Sequence, residues 1–224
     1  MTLVLLGALG TTPEMWSPQL PDLPDVVTYD YPTPDGPISL DELGNAVLAK
    51  LDERASLCGL SLGGMVAMWI ACRAPERVER LVLACTSARF GPPERWTARA
   101  ATVRAEGMEA IADAQLDRWF TPAFPEREHY RQLFVSMPAE AYARYCDLLA
   151  VADLRDELHA IRAPTLVIAG EQDPAVAPED PVLLAERIPD ATLVTIPGAH
   201  LANVEQPAAF TRAVLGHLEP EEER

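Results

Sequence analysis

Lysine is almost missing from this chain: Lys50 stands alone beside seventeen arginines, against 34 acidic side chains. The resulting net charge of −16 repels phosphate backbones, so no nucleic-acid partner is expected. No run approaches the roughly 18 consecutive apolar residues of a membrane span, and no membrane partner is expected either. The opening MTLVLLGALGTT lacks the basic start and long apolar stretch of a leader and reads as a first strand. Cysteine is scarce: Cys58, Cys72, Cys85 and Cys146 form no CxxC pair and no dense cluster. That excludes a disulfide scaffold and suits buried thiols of a cytoplasmic protein. The four histidines are scattered, so no metal site is expected.

What the chain does have is 224 residues with 49% apolar content, enough for one domain plus an insertion. Short β-rich runs recur at Thr2–Leu6, Val26–Asp30, Ala55–Cys58, Leu81–Cys85, Thr165–Ala169 and Thr192–Ile196. Most are apolar at consecutive positions, the mark of parallel strands covered on both faces. Helical stretches alternate with them at about Leu40–Leu51, Leu62–Arg73, Pro181–Arg187 and Pro207–Leu218. This rhythm predicts an open α/β sheet with right-handed crossovers. It breaks after Thr86, where a long interval punctuated by Gly107, Pro122, Pro125 and Pro138 predicts four or five short helices. The charged tail EPEEER reads as a fraying end.

The strongest local signal is Gly59-Leu60-Ser61-Leu62-Gly63, directly after the strand ASLC and before LGGMVAMWIACRA. A G-x-S-x-G turn between strand and helix presents its serine at the carboxyl edge of a sheet, over the N-terminus of the next helix. The same pattern also serves as a plain packing turn. A nucleophilic serine needs a base and an orienting acid. His200 follows the last strand, in IPGAHLANVEQP, and Asp173 follows TLVIAG, in GEQDP. All three lie after strand ends, where open α/β sheets build their sites. His129, His159 and His217 lie in the insertion or near the terminus, and Glu171 is the rival acid. Oxyanion donors are expected from the amide of Leu62 and, in the loop after the first strand, that of Leu9.

Taken together, the chain resembles the α/β-hydrolase superfamily, and more narrowly the 3-oxoadipate enol-lactonases. The resemblance rests on LGTTPEMWSPQ, GLSLGGMVAMWIA, PERVERLVLACTSARFGPPERWTAR, GMEAIADAQLDRWFTPAF, YARYCDLLAVADLRDELHAIRAPTLVIAGEQDP and AHLANVEQPAAF. It implies an α/β-hydrolase fold with Ser61 as nucleophile, Asp173 as acid, His200 as base, and Leu9 and Leu62 as oxyanion amides. It implies no cofactor and a small carboxylate-bearing lactone or ester as substrate. The first β-rich run here is already the one that leads to the oxyanion loop, so the family's usual first hairpin is expected to be missing, and a shortened six-stranded parallel sheet with a helical cap insertion is expected. The core would be 1–89 and 162–219, and the cap 90–161.

The resembled family's Arg-Gly-His-Gly segment is replaced by Tyr31-Pro32-Thr33-Pro34-Asp35-Gly36-Pro37. The loop TPDGPISL is expected to shield the outer edge of the second strand. A substrate carboxylate calls for arginine. Arg118 is the first candidate, with Trp119 as an apolar wall and Arg89, Arg95 and Arg131 as competitors. Met65 and Trp69 are expected to pack the elbow helix on the sheet, and Glu205 and Pro207 to begin a helix. A broader carboxylesterase or thioesterase, or a non-catalytic receptor using the same pocket, are the alternative readings.

Overall fold

Apolar side chains at consecutive positions force a strand to be covered twice. The strand β3 (Ala55–Leu60) is buried at every position, and β1 (Leu3–Leu6) likewise. Burying each leucine there contributes about 1.5–3 kcal/mol, which makes these strands the centre of the sheet. The computed structural model describes residues 2–23, 25–51 and 54–219; most of the charged tail, 220–224, lies outside them. With β2 (Val26–Tyr29), β4 (Val78–Ala84), β5 (Thr165–Gly170) and β6 (Ala191–Ile196), the strands form one six-stranded sheet in the order β2-β1-β3-β4-β5-β6. All five neighbouring pairs are parallel.

The helix α1 (Leu40–Leu48) starts at a capping box, in which Ser39 Oγ accepts the Glu42 N–H at 3.2 Å and the Glu42 carboxylate accepts the Ser39 N–H at 2.8 Å. The helix α2 (Leu62–Arg73) is buried on all sides from Leu62 to Ala71. Met65 is fully buried, and Trp69 is buried against α1. Its ring lies on Gly44 of α1, and its indole N–H donates to Asp41 Oδ1 at 2.6 Å. The indole follows its hydrogen-bond partner, which an apolar sheet face does not offer.

Between β4 and β5 the chain forms α3 (Pro93–Glu106), α4 (Glu109–Trp119), α5 (Arg127–Ser136) and α6 (Ala139–Val151), then a 3-10 turn at Leu158–Ala160. The helices α3 and α6 pack closely together. After β5 come α7 (Glu179–Arg187), α8 (Ala202–Glu205) and α9 (Pro207–Leu218). Pro207 opens α9, whereas Glu205 ends the short α8, contrary to expectation.

The loop after β2 packs on the inserted helices. It is drawn to α6: the Tyr145 hydroxyl donates to Pro32 O at 2.6 Å, and the Arg144 guanidinium donates to Pro34 O. Prolines offer carbonyls and no N–H, so this segment pairs with side-chain donors instead of extending the sheet. β2 is an outer strand, with Val27 half-exposed.

Three cysteines are buried, but Cys72 is only partly so, because it sits near the end of α2 where the helix leaves the core. Among the described residues no helix is long and apolar enough to cross a membrane.

Candidate active site

β3 ends at Leu60 and α2 begins at Leu62, so Ser61 alone makes the turn. Its φ of 58° and ψ of −117° are strained for a residue with a side chain, at about 1–3 kcal/mol. The surroundings hold it there. Its N–H donates to Ala84 O at 3.0 Å, and its carbonyl accepts the Thr86 hydroxyl at 2.7 Å. The Gly63 N–H donates to Gly7 O at 3.0 Å. A Cβ on Gly63 would stand 2.0 Å from Leu6 O, and one on Gly59 2.2 Å from Gly63 O. Only glycine lets α2, β3 and the loop after β1 approach this closely.

Ser61 Oγ lies 2.8 Å from His200 Nε2, and His200 Nδ1 lies 2.8 Å from Asp173 Oδ2. The other Asp173 oxygen accepts the N–H groups of Ala175 at 2.7 Å and Val176 at 3.3 Å. With the carboxylate as acceptor, Nδ1 carries the proton and Nε2 is free to accept from the serine. The three groups come from the ends of β3, β5 and β6. Glu171 is exposed, while the Asp173 and His200 side chains are each 5% exposed. The remaining histidines lie elsewhere: His129 meets Glu14, His159 is exposed, and His217 contacts Pro164 O.

Ser61 and His200 open into a chamber of about 30 Å³, bounded by Leu9, Trp96, Gln115, Trp119 and Tyr142 among others. Arg95, Arg99 and Arg118 also line it. The Arg118 guanidinium donates to Ala114 O at 2.9 Å, and Arg99 donates to Gln115 Oε1 at 3.2 Å and to the Tyr142 hydroxyl at 3.4 Å. Among the described residues no carboxylate stands at ion-pair distance from any of the three, whereas Arg73, Arg104, Arg127, Arg131, Arg144 and Arg155 are all paired. Burial lowers the pKa of Arg118, and the neighbouring Arg99 and Arg95 lower it further. Arg95 is lowered by burial and by Arg99.

Residues 3–213 match the model of the alpha/beta hydrolase family. The chain belongs to that family. This hydrolase is 40% identical over 230 residues to 3-oxoadipate enol-lactonase 2 of Acinetobacter baylyi, a match that covers 95% of this chain and 86% of that one. It is 33% identical over 233 residues to 3-oxoadipate enol-lactonase 1 of the same organism, covering 96% and 88%. The crystal structure of the enol-lactonase from Burkholderia xenovorans superposes with a TM-score of 0.93 at 39% identity, covering 97% of this chain and 90% of that one.

The hydrolase's remaining candidates divide by position. Leu9 borders the chamber, and Leu9 and Leu62 together border an adjoining cavity of about 240 Å³ reached by Tyr31, Pro32 and Tyr145. Trp119 is almost fully buried and packs edge-on against Phe134 and Phe120. Arg89 lies 3.9 Å from Asp153 and Arg131 binds Glu109 and Asp113, so neither competitor lines the chamber. Sequence reasoning passed over Arg99, Gln115 and Tyr142. Arg99 lies one turn after Arg95 on α3, but the same stretch also carries Arg104, which pairs with Glu140 and Asp147.

Proposed function

We propose that this alpha/beta hydrolase is a serine hydrolase that opens a small carboxylate-bearing enol-lactone, with 3-oxoadipate enol-lactone as the first substrate to test. The observation that carries the reading is the Ser61–His200–Asp173 relay facing Arg95, Arg99 and Arg118, none of which has a carboxylate at ion-pair distance among the described residues. A protein of net charge −16 repels an anion unless its pocket is locally positive. The enol-lactonase relatives support the lactone assignment.

In this mechanism His200 Nε2 takes the Ser61 proton as Oγ attacks the lactone carbonyl. Asp173 holds the imidazole tautomer and stabilises the imidazolium. The amides of Leu9 and Leu62 receive the oxyanion, each worth about 3 kcal/mol in the transition state. The ring C–O bond breaks and the enolate takes the proton from His200, remaining tethered to the acyl group. Water, deprotonated by the same imidazole, then releases the acid from Ser61, and the enol tautomerises to the ketone. No cofactor enters any step. Arg118 would hold the carboxylate, and Trp119 would form the apolar wall.

Residues 90–161 would serve as a cap over a core made of 1–89 and 162–219. The chamber at Ser61 would take the lactone carbonyl, and the adjoining cavity of about 240 Å³ beside Leu9 and Leu62 would offer further room. The reading makes this a cytoplasmic enzyme of a small metabolite. Its test is kcat/KM on 3-oxoadipate enol-lactone beside p-nitrophenyl butyrate. A clear preference for the lactone supports the reading; a preference for the neutral ester would assign a broader carboxylesterase.

A further inference from the structure

Two segments meet beside the imidazole. One runs from Ala199 to Leu201 and carries His200. The other runs from Arg118 to Thr121 and ends α4. The His200 N–H donates to Arg118 O at 3.3 Å, and the Leu201 N–H donates to Trp119 O at 3.0 Å. One carboxylate completes the join. Glu205 Oε2 accepts the Ala199 N–H at 2.9 Å, while Oε1 accepts the Thr121 N–H at 3.1 Å and the Thr121 hydroxyl as well.

We propose that Glu205 is a positioning residue: its carboxylate locks the base-bearing loop to the Arg118–Trp119 wall, so that base and substrate-reading residues keep one register. This rests on the serine-hydrolase reading above. The geometry favours a carboxylate over any other group. Its two oxygens face three donors on two segments, and charge-assisted bonds of this kind are stronger than neutral ones. An amide of the same shape would turn an NH₂ toward one of those donors. The loop also bends tightly at this point. Gly198 has φ +106°, and a Cβ there would lie 3.3 Å from Glu205 Oε2. On the far side, the Asn203 side chain donates to Met15 O at 2.8 Å, which ties α8 to the turn after β1. Glu205 therefore supplies the side-chain tie between α8 and the inserted helices, and Asn203 the tie to the core.

The test compares wild type, E205Q and T121V. Glu205→Gln keeps the shape, and Thr121→Val removes one donor from the opposite segment should the first variant fold poorly. Circular dichroism and Tm report the fold; kcat and KM are read on the enol-lactone and on p-nitrophenyl butyrate. The proposal expects kcat to fall about 10–100-fold on both substrates in E205Q. KM should rise for the anionic lactone alone, with a smaller change of the same kind in T121V. Adding R118A to E205Q should then raise the lactone KM little beyond R118A by itself. If E205Q and T121V keep wild-type kcat and the wild-type lactone-to-ester ratio, with or without a lower Tm, Glu205 is a packing residue and the proposal fails. Failure of the underlying reading looks different: wild-type Ser61 would resist a fluorophosphonate label.

Discussion

The N–H of Leu201 donates to the carbonyl of Trp119 at 3.0 Å, so the residue after the base is joined to the wall of the chamber. The proposed substrate-reading residues and the proposed base thus share one backbone join. A change in the wall is expected to reach the chemistry as well as the binding.

Arg118 and Arg99 give the first prediction. Arg118 is half-buried, and losing a hydrogen bond from such a guanidinium to a carboxylate costs about 1.5–3 kcal/mol. R118A should therefore lose about 10–150-fold in kcat/KM on the lactone and far less on p-nitrophenyl butyrate. R99A should show the same selectivity more weakly, because Arg99 is partly engaged by Gln115 and Tyr142. Equal losses on both substrates in R118A would reassign it to packing.

Asp173 fixes the proton on His200 Nδ1. In D173N the amide can donate to that nitrogen, which favours the wrong tautomer and lowers kcat by about 10⁴-fold. The fold should persist, since Ala175 and Val176 can still donate to the amide oxygen. Near-normal turnover by D173N would give the acid's role to another residue.

The close approach at Gly63 predicts a stability defect. Its added Cβ would meet Leu6 O at 2.0 Å, and backbone cannot move aside as a side-chain tip can. G63A should lose about 1–3 kcal/mol, or roughly 2–12 °C in Tm. A Tm unchanged by G63A in a melting experiment would show that the elbow has slack.

The thiols offer a pH test. Burial raises the pKa of Cys58, Cys85 and Cys146. It raises Cys72 to about 11, opposed by the adjacent Arg73 guanidinium. The thiolate is the reactive form, so iodoacetamide at about pH 7.5 should label the folded protein slowly. As pH rises, Cys72 should react first, being the one partly exposed. Prompt labelling of Cys58 at neutral pH, read by peptide mass, would contradict the burial argument.

The strands are legible because runs such as LVLL and TLVIAG are apolar at every position, and a parallel sheet between helices is the arrangement that buries them. The Ser61 turn is legible because its glycines, strand and helix are contiguous. Arg99 is not legible. It and Arg104 belong to the same stretch RWTARAATVRAEG, yet Arg99 faces the chamber while Arg104 pairs with Glu140 and Asp147 outside. The packing of α3 on α6 decides between them, and no local pattern carries it. Glu205 is hidden for a similar reason. With Pro207 it reads as the start of a helix, and its partner Thr121 lies 84 positions away.

The central claim is that Ser61 attacks a lactone carbonyl, and the most direct measurement is turnover of 3-oxoadipate enol-lactone by wild type and S61A, followed by loss of the enol-lactone's ultraviolet absorbance. The account predicts saturable turnover by wild type and a fall in kcat of about 10⁴-fold or more in a folded S61A. Wild-type-like turnover by S61A would contradict it.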